Sequence, residues 1–209
     1  MTASPARPGP AAGLQVGGER PADAAARTTP LRAEILAATV EITSQSGWSS
    51  VTMARLADVV GVSRQTVYNE VGSKPALAQA VVLDELARFL AVVAEAFSTY
   101  DDAGAAVEAA VRGVLERADD NPLLAAIVAG THGADTDLLP LLTTSSAPLL
   151  DTARAVVRER LAPYSSDDAS LDLATDVLVR VTLSHVMAPT GTPADTGRAL
   201  GDAVRRLLD

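Results

Sequence analysis

The chain has 209 residues, of which 48% are apolar, and a formal net charge of -9. That is enough for one large or two small domains with a sizeable core. There is no cysteine, which excludes disulfide frameworks, Cys-ligated zinc and thiol catalysis. No stretch approaches the roughly 20 apolar residues of a membrane span, and the start, MTASPARPGPAAGLQVGG, lacks a signal-peptide core; the expectation is a cytoplasmic protein that uses no membrane.

Residues 1–29 are rich in Pro, Gly and Ala without periodicity and are expected to form a disordered arm. Either this arm is an inert tail, or Arg20 and Arg27 reach a DNA minor groove as flexible arms do elsewhere. The first helix is predicted over Leu31 to Ser46, with Leu31, Ile35, Ala38 and Ile42 on one face. Gly47 ends it, and Trp48 is expected to be buried as an anchor beneath the segment that follows.

That segment, VTMARLADVVGVSRQTVYNEVGSK from Val51 to Lys74, holds two short helical patterns on either side of a Gly-Val-Ser turn, the signature of a helix-turn-helix. Met53, Leu56, Ala57 and Val60 form the apolar stripe of the first helix. Gly61 accepts the left-handed backbone that closes it, and Ser63 is the N-cap of the second. On a helical wheel Val67 and Val71 face inward, with Gln65, Thr66 and Asn69 opposite. Arg64 and Tyr68 lie on the flank, within reach of phosphate oxygens. Such a polar face can read base edges: amides suit adenine, Arg suits guanine or phosphate, and a Tyr ring or Thr methyl can touch thymine.

Ala57, Gly61 to Ser63, Thr66 to Tyr68 and Ser73-Lys74, together with the helix from Ala37 to Gly47, resemble the amino-terminal DNA-binding domain of the TetR family of bacterial repressors. The resemblance implies an all-α homodimer in which three small helices bind a palindromic operator and a larger body binds an inducer. It carries DNA contacts onto Thr52, Arg64, Gln65, Thr66, Tyr68, Asn69 and Lys74, to which the capping Ser63 is added. Val71 departs from the phenylalanine common in the family, so a smaller plug seats the recognition helix. Lys74, in the first turn of the next helix, opposes the helix dipole; a phosphate at that N-terminus would explain it.

A long helix from Pro75 to Tyr100 follows, with Val82, Leu86, Phe89, Leu90, Val93 and Phe97 as its stripe; it connects head to body and is a natural transmitter. Further helices are predicted near Asp102 to Ala118, Pro122 to Gly130, Thr143 to Leu161, Ala169 to Met187 and Ala194 to Leu208, with Pro and Gly at the boundaries. The boundaries sought are thus 1–29 for the arm, 30–75 for the helix-turn-helix domain and 76–209 for the effector-binding and dimerisation domain. Glu108, Arg112 and Glu116 read as a solvated ion-pair face. The stripes of the last two helices demand a partner, which the family resemblance identifies as a second copy.

Leu123 to Leu150 is almost free of charge and interrupted by Pro and Gly, as the wall of an apolar pocket would be. With the connector helix it supplies the predicted effector-binding set: Phe89, Val93, Phe97, Leu124, Ile127, Val128, Thr131, His132 and Leu142, with Thr143 and Thr144 as further polar groups. The effector expected is small and lipophilic, a fatty acid or related acyl compound; ordinary core is the competing reading. His132 and His185 are too isolated for a metal site, and no cofactor is called for. Arg180 either pairs with Asp176 or meets an effector carboxylate. No catalytic constellation is singled out, so the chain is not read as an enzyme. Charge is unevenly spread: residues 28–80 hold four basic and four acidic groups, and residues 81–209 hold 10 basic and 20 acidic. The acidic body would repel DNA and orient a neutral head toward it.

Overall fold

The computed structural model describes residues 29–129 and 147–208. The arm with Arg20 and Arg27, and Thr131, His132, Leu142, Thr143 and Thr144, lie outside the described residues. Among those described, the elements are all helical: α1 (Pro30–Ser46), α2 (Met53–Val60), α3 (Arg64–Val71), α4 (Lys74–Thr99), α5 (Ala103–Asp119), α6 (Pro122–Ala129), α7 (Ala147–Leu161), α8 (Asp168–Met187) and α9 (Pro193–Leu208), with short 3-10 turns at Trp48–Ser50 and Ala162–Tyr164.

The helix boundaries follow from capping chemistry. Thr29, Thr52, Ser63, Ser73, Asp102 and Asp167 each accept a backbone N–H from the first turn of the helix they precede, satisfying donors that have no intrahelical partner. Gly61 closes α2 in the left-handed conformation at φ 78°, where a side chain would be strained.

Two apolar clusters organise the packing. The first gathers Ile35, Leu36 and Ile42 of α1, Leu56 and Ala57 of α2, Val67 and Val71 of α3 and the start of α4 up to Val81, around Trp48. It also includes Leu123, which comes from α6. The second gathers Val93, Val107, Val111, Leu161, Leu171, Leu178, Leu200 and Val204 from the later helices. The long helix α4 runs through both clusters.

Two expectations are refined here. The apolar stripes of α8 and α9, Leu171, Ala174, Val177, Leu178 and Val181 with Leu200, Val204 and Leu207, do not wait wholly on another chain: Leu171, Ala174, Leu178, Leu200 and Val204 are buried within this one, while Val177, Val181 and Leu207 are half-buried. Helix α9 packs tightly on α5, because glycines at the crossing let the backbones approach. Nor is Glu108 part of a solvated ladder. Arg112 reaches Glu116 at 3.9 Å, whereas Glu108 is half-buried under α9. Its backbone carbonyl would lie 2.6 Å from a Cβ placed at Gly197, and the carbonyl of Gly104 would lie 2.5 Å from one at Gly201. Arg205 of α9 then crosses Gly104 to reach Asp102 at 2.8 Å, and that hydrogen bond holds the Asp102 carboxyl below the usual carboxylate range.

The crossing gives a stability prediction. Gly201→Ala forces a methyl against a backbone carbonyl that no rotamer change can move, so it should destabilise the chain by about 1–3 kcal/mol. Urea unfolding followed by circular dichroism measures this, with Ala203→Gly as the comparison for helix propensity.

Candidate DNA-reading face and apolar chamber

Helix α3 is short, and its position depends on its inner side. Val67 and Val71 are buried against α1 and α2, the valine at 71 being 4% exposed. At its C-terminal end the Glu70 carbonyl accepts a hydrogen bond from Arg32 and the Glu70 carboxylate accepts one from Thr29, both from the start of α1. The outer side is polar. Arg64, Gln65, Tyr68 and Asn69 are exposed and Thr66 is half-exposed, so the residues singled out by the wheel share one solvent face. Gln65 donates to the Asn69 carboxamide oxygen at 3.0 Å, which holds the two amides side by side on the exposed face. Ser63 caps the helix and its hydroxyl lies 2.8 Å from that of Thr66. Thr52, exposed, caps α2 alongside.

Lys74 departs from the expected arrangement. Its ammonium donates to the Trp48 carbonyl at 2.9 Å and lies 5.0 Å from the centre of the Trp48 ring. The charge that opposes the dipole of α4 is thus compensated within the protein, by a carbonyl and an aromatic face. This contact ties the start of α4 to the turn after α1. Trp48 is 3% exposed, in the anchoring position its place in the sequence predicts.

The second site is an apolar cavity of about 170 Å³ in the body. Phe89, Val93 and Phe97 of α4 line it, as does Leu124 of α6. Leu149 and Leu150 of α7 and Leu178, Val179 and Val186 of α8 complete much of the remaining wall. Ile127 and Val128 belong to α6, but their side chains lie outside the described residues. The other polar candidates stand apart from it: Arg180 binds Asp176 at 2.8 Å, and His185 Nδ1 lies 2.9 Å from the Val181 carbonyl of its own helix.

Among the described residues, the wall contains one ionic group that sequence reasoning missed, Glu85. It is 6% exposed and accepts hydrogen bonds from Asn121 at 2.7 Å, Arg117 at 3.3 Å and Arg88 at 3.3 Å. Asn121 in turn accepts the backbone N–H of Leu124 at 3.0 Å, capping α6. The signal was present: Glu85 falls three residues after Val82 and four before Phe89, on the face of α4 that is otherwise apolar. A charge in that register needs buried partners.

Comparisons with known proteins agree with this architecture. Residues 35–81 match the family model described as bacterial regulatory proteins, tetR family, and residues 102–206 match that of the bacterial tetracyclin repressor C-terminal domain. The HTH-type transcriptional regulator AlkX of Mycobacterium tuberculosis is 33% identical over 180 residues, 81% of each chain. The chain belongs to the TetR family. Among solved structures, the TetR family repressor AlkX from Dietzia sp., implicated in biodegradation of n-alkanes, superposes with a TM-score of 0.70 at 27% identity, covering 87% of this chain and 96% of that one. A transcriptional regulator from Streptomyces coelicolor A3(2) shares the fold alone, at 19% identity and a TM-score of 0.59 over 86% of this chain and 99% of that one. As a TetR-family transcriptional regulator with a DNA-binding helix-turn-helix, the chain is not an enzyme. No helix among the described residues is long and apolar enough to cross a membrane.

The Lys74 contact is directly testable. Lys74→Met keeps the aliphatic stem but loses the ammonium, and should cost about 1 kcal/mol of stability. The emission of Trp48, the chain's one tryptophan, should change with it; an unaltered spectrum and unfolding curve would mean that the contact contributes nothing in solution.

Proposed function

We propose that this regulator is a cytoplasmic repressor that a small lipophilic effector releases from a palindromic operator. The observation that carries the DNA half is the division of α3 into a buried apolar side and an exposed polar one. Gln65, Thr66 and Asn69 read base edges, Arg64 and Tyr68 sit at the phosphates, and Thr52 and Ser63 contribute at the adjoining helix starts. Lys74, whose ammonium keeps donors beyond the one given to Trp48, completes the set.

Two copies pair through the last two helices. In support, α8 leaves Leu173 53% exposed, with Val177 and Val181 only half-buried on the same face, and α9 adds Ala199 and Ala203 on its outer side. The inward stripes are satisfied within the chain, so these outer side chains carry the pairing. A dimer of this kind presents two recognition helices to successive major grooves, about 34–36 Å apart.

The effector half rests on the chamber, whose wall is almost entirely hydrocarbon and suits an elongated chain, the class that includes fatty acids and related acyl compounds. The Dietzia AlkX repressor, implicated in n-alkane biodegradation, points to the same kind of chemistry. Coupling runs through α6, whose Leu123 and Leu124 both line the chamber while Leu123 also belongs to the core of the head.

Selection of bound DNA from a random pool tests the reading. An inverted repeat should emerge, and Tyr68→Phe and Asn69→Ala should each weaken binding to it by about 1–3 kcal/mol with unchanged melting temperatures. Enrichment of no sequence by protein refolded to strip any guest would refute the operator reading.

A further inference from the structure

Base reading depends on the angle at which α3 is set, and the core alone sets that angle weakly. The helix is eight residues long, and its buried side chains are Val67 and Val71. Residues four apart lie nearly in line along a helix, so these valines fix where α3 sits but resist its rolling little. A roll of about 20° carries a side-chain tip, about 5–6 Å from the axis, through about 2 Å. Hydrogen bonds to base edges do not survive that shift, since donor and acceptor must meet within about 2.7–3.2 Å.

The start of α1 supplies the missing restraint. Glu70 stands about 60° from Val67 and about 100° from Val71 around the helix, so a tie at its side chain acts off the line of the valines. Its carboxylate accepts a hydrogen bond from the Thr29 hydroxyl at 2.9 Å. The same hydroxyl accepts the backbone N–H of Arg32 at 3.1 Å, so one group caps α1 and tethers α3. The Arg32 guanidinium donates to the Glu70 carbonyl. That carbonyl belongs to the last turn of α3, where no intrahelical donor remains and a cation also suits the helix dipole. Arg32 and Glu70 are both half-buried, and Glu70 directly follows Asn69, so the clasp holds the end of the helix that bears this amide.

We propose that Thr29 and Arg32, acting through Glu70, set the roll of α3 and with it the discrimination of operator from other DNA, without touching DNA themselves. They are positioning residues, and their role rests on α3 being the reading helix.

The test titrates the full chain, over a range of salt, against the inverted repeat selected from the random pool and against a duplex of scrambled sequence. Arg32→Met keeps the aliphatic stem and removes the guanidinium. Binding to the repeat should weaken about tenfold, the size of one lost base contact, with the salt slope and the binding of scrambled duplex unchanged. Loss of a phosphate contact would instead weaken both duplexes alike and lower the slope by about one, which would overturn the inference. Glu70→Ala separates the two by sign. Removing a negative charge beside DNA strengthens binding to both duplexes if charge alone acts, whereas loss of the clasp weakens binding to the repeat. All titrations are made well below each variant's melting temperature, because loss of folded protein reduces both affinities equally; if Arg32→Met does not fold, Glu70→Ala decides. Binding to the repeat that neither variant changes, or that Glu70→Ala strengthens, would overturn the inference and leave the reading helix standing. A pool that yields no repeat would overturn both.

Discussion

Helix α6 is held in place by one buried hydrogen-bond chain, and much of the molecule depends on it. Glu85 of α4 fixes Asn121, and Asn121 caps α6 through the Leu124 amide. With its first turn pinned in this way, α6 sets both Leu123 and Leu124 in the chamber wall, and Leu123 is at the same time part of the core beneath the reading head. Adjacent residues on a helix point about 100° apart, so a single turn can belong to two packing environments. Close-packed interiors transmit displacement because they have few voids to absorb it. A guest pressing on this turn would therefore act on a helix whose Leu123 is part of the core that seats α1 and α3.

The rest of the fold makes that wedge effective by stiffening what surrounds it. The α5 and α9 backbones meet at glycines and are tied by Arg205 to Asp102, so the far wall of the body does not yield easily. At the other end Lys74 fastens α4 to Trp48, which makes the connector helix continuous with the head. Between these fixed points lies the chamber, whose wall includes the half-buried rings of Phe89 and Phe97.

Local chemistry was legible in the sequence. Gly61, Ser63 and Ser73 mark helix ends because capping is a matter of one or two residues, and the stripe of α4 from Val82 to Phe97 was readable because periodicity is local too. Long-range geometry was not. Nothing near Lys74 in the chain shows that its ammonium turns back 26 positions to Trp48. Nor does the pattern of α9 reveal that Leu200 and Val204 are buried by the chain's own α5; an apolar stripe states that a partner is needed, not which one. Gly197 and Gly201 could have suggested a close helix crossing. Glu85 was visible as a charge on an apolar face, but its partners Arg117 and Asn121 lie more than 30 residues away.

The central claim is that the chamber and the head are coupled through α6, and it can be tested without operator or effector. Leu124→Phe fills part of the chamber from the helix itself, and backbone hydrogen exchange of the full chain reports local opening helix by helix. The account predicts altered exchange in α6 together with α1, and a smaller effect of Leu124→Phe on α1 when it is introduced into Leu123→Ala and compared with Leu123→Ala alone. Altered exchange confined to α6, with α1 unaffected by the filled chamber, would contradict it.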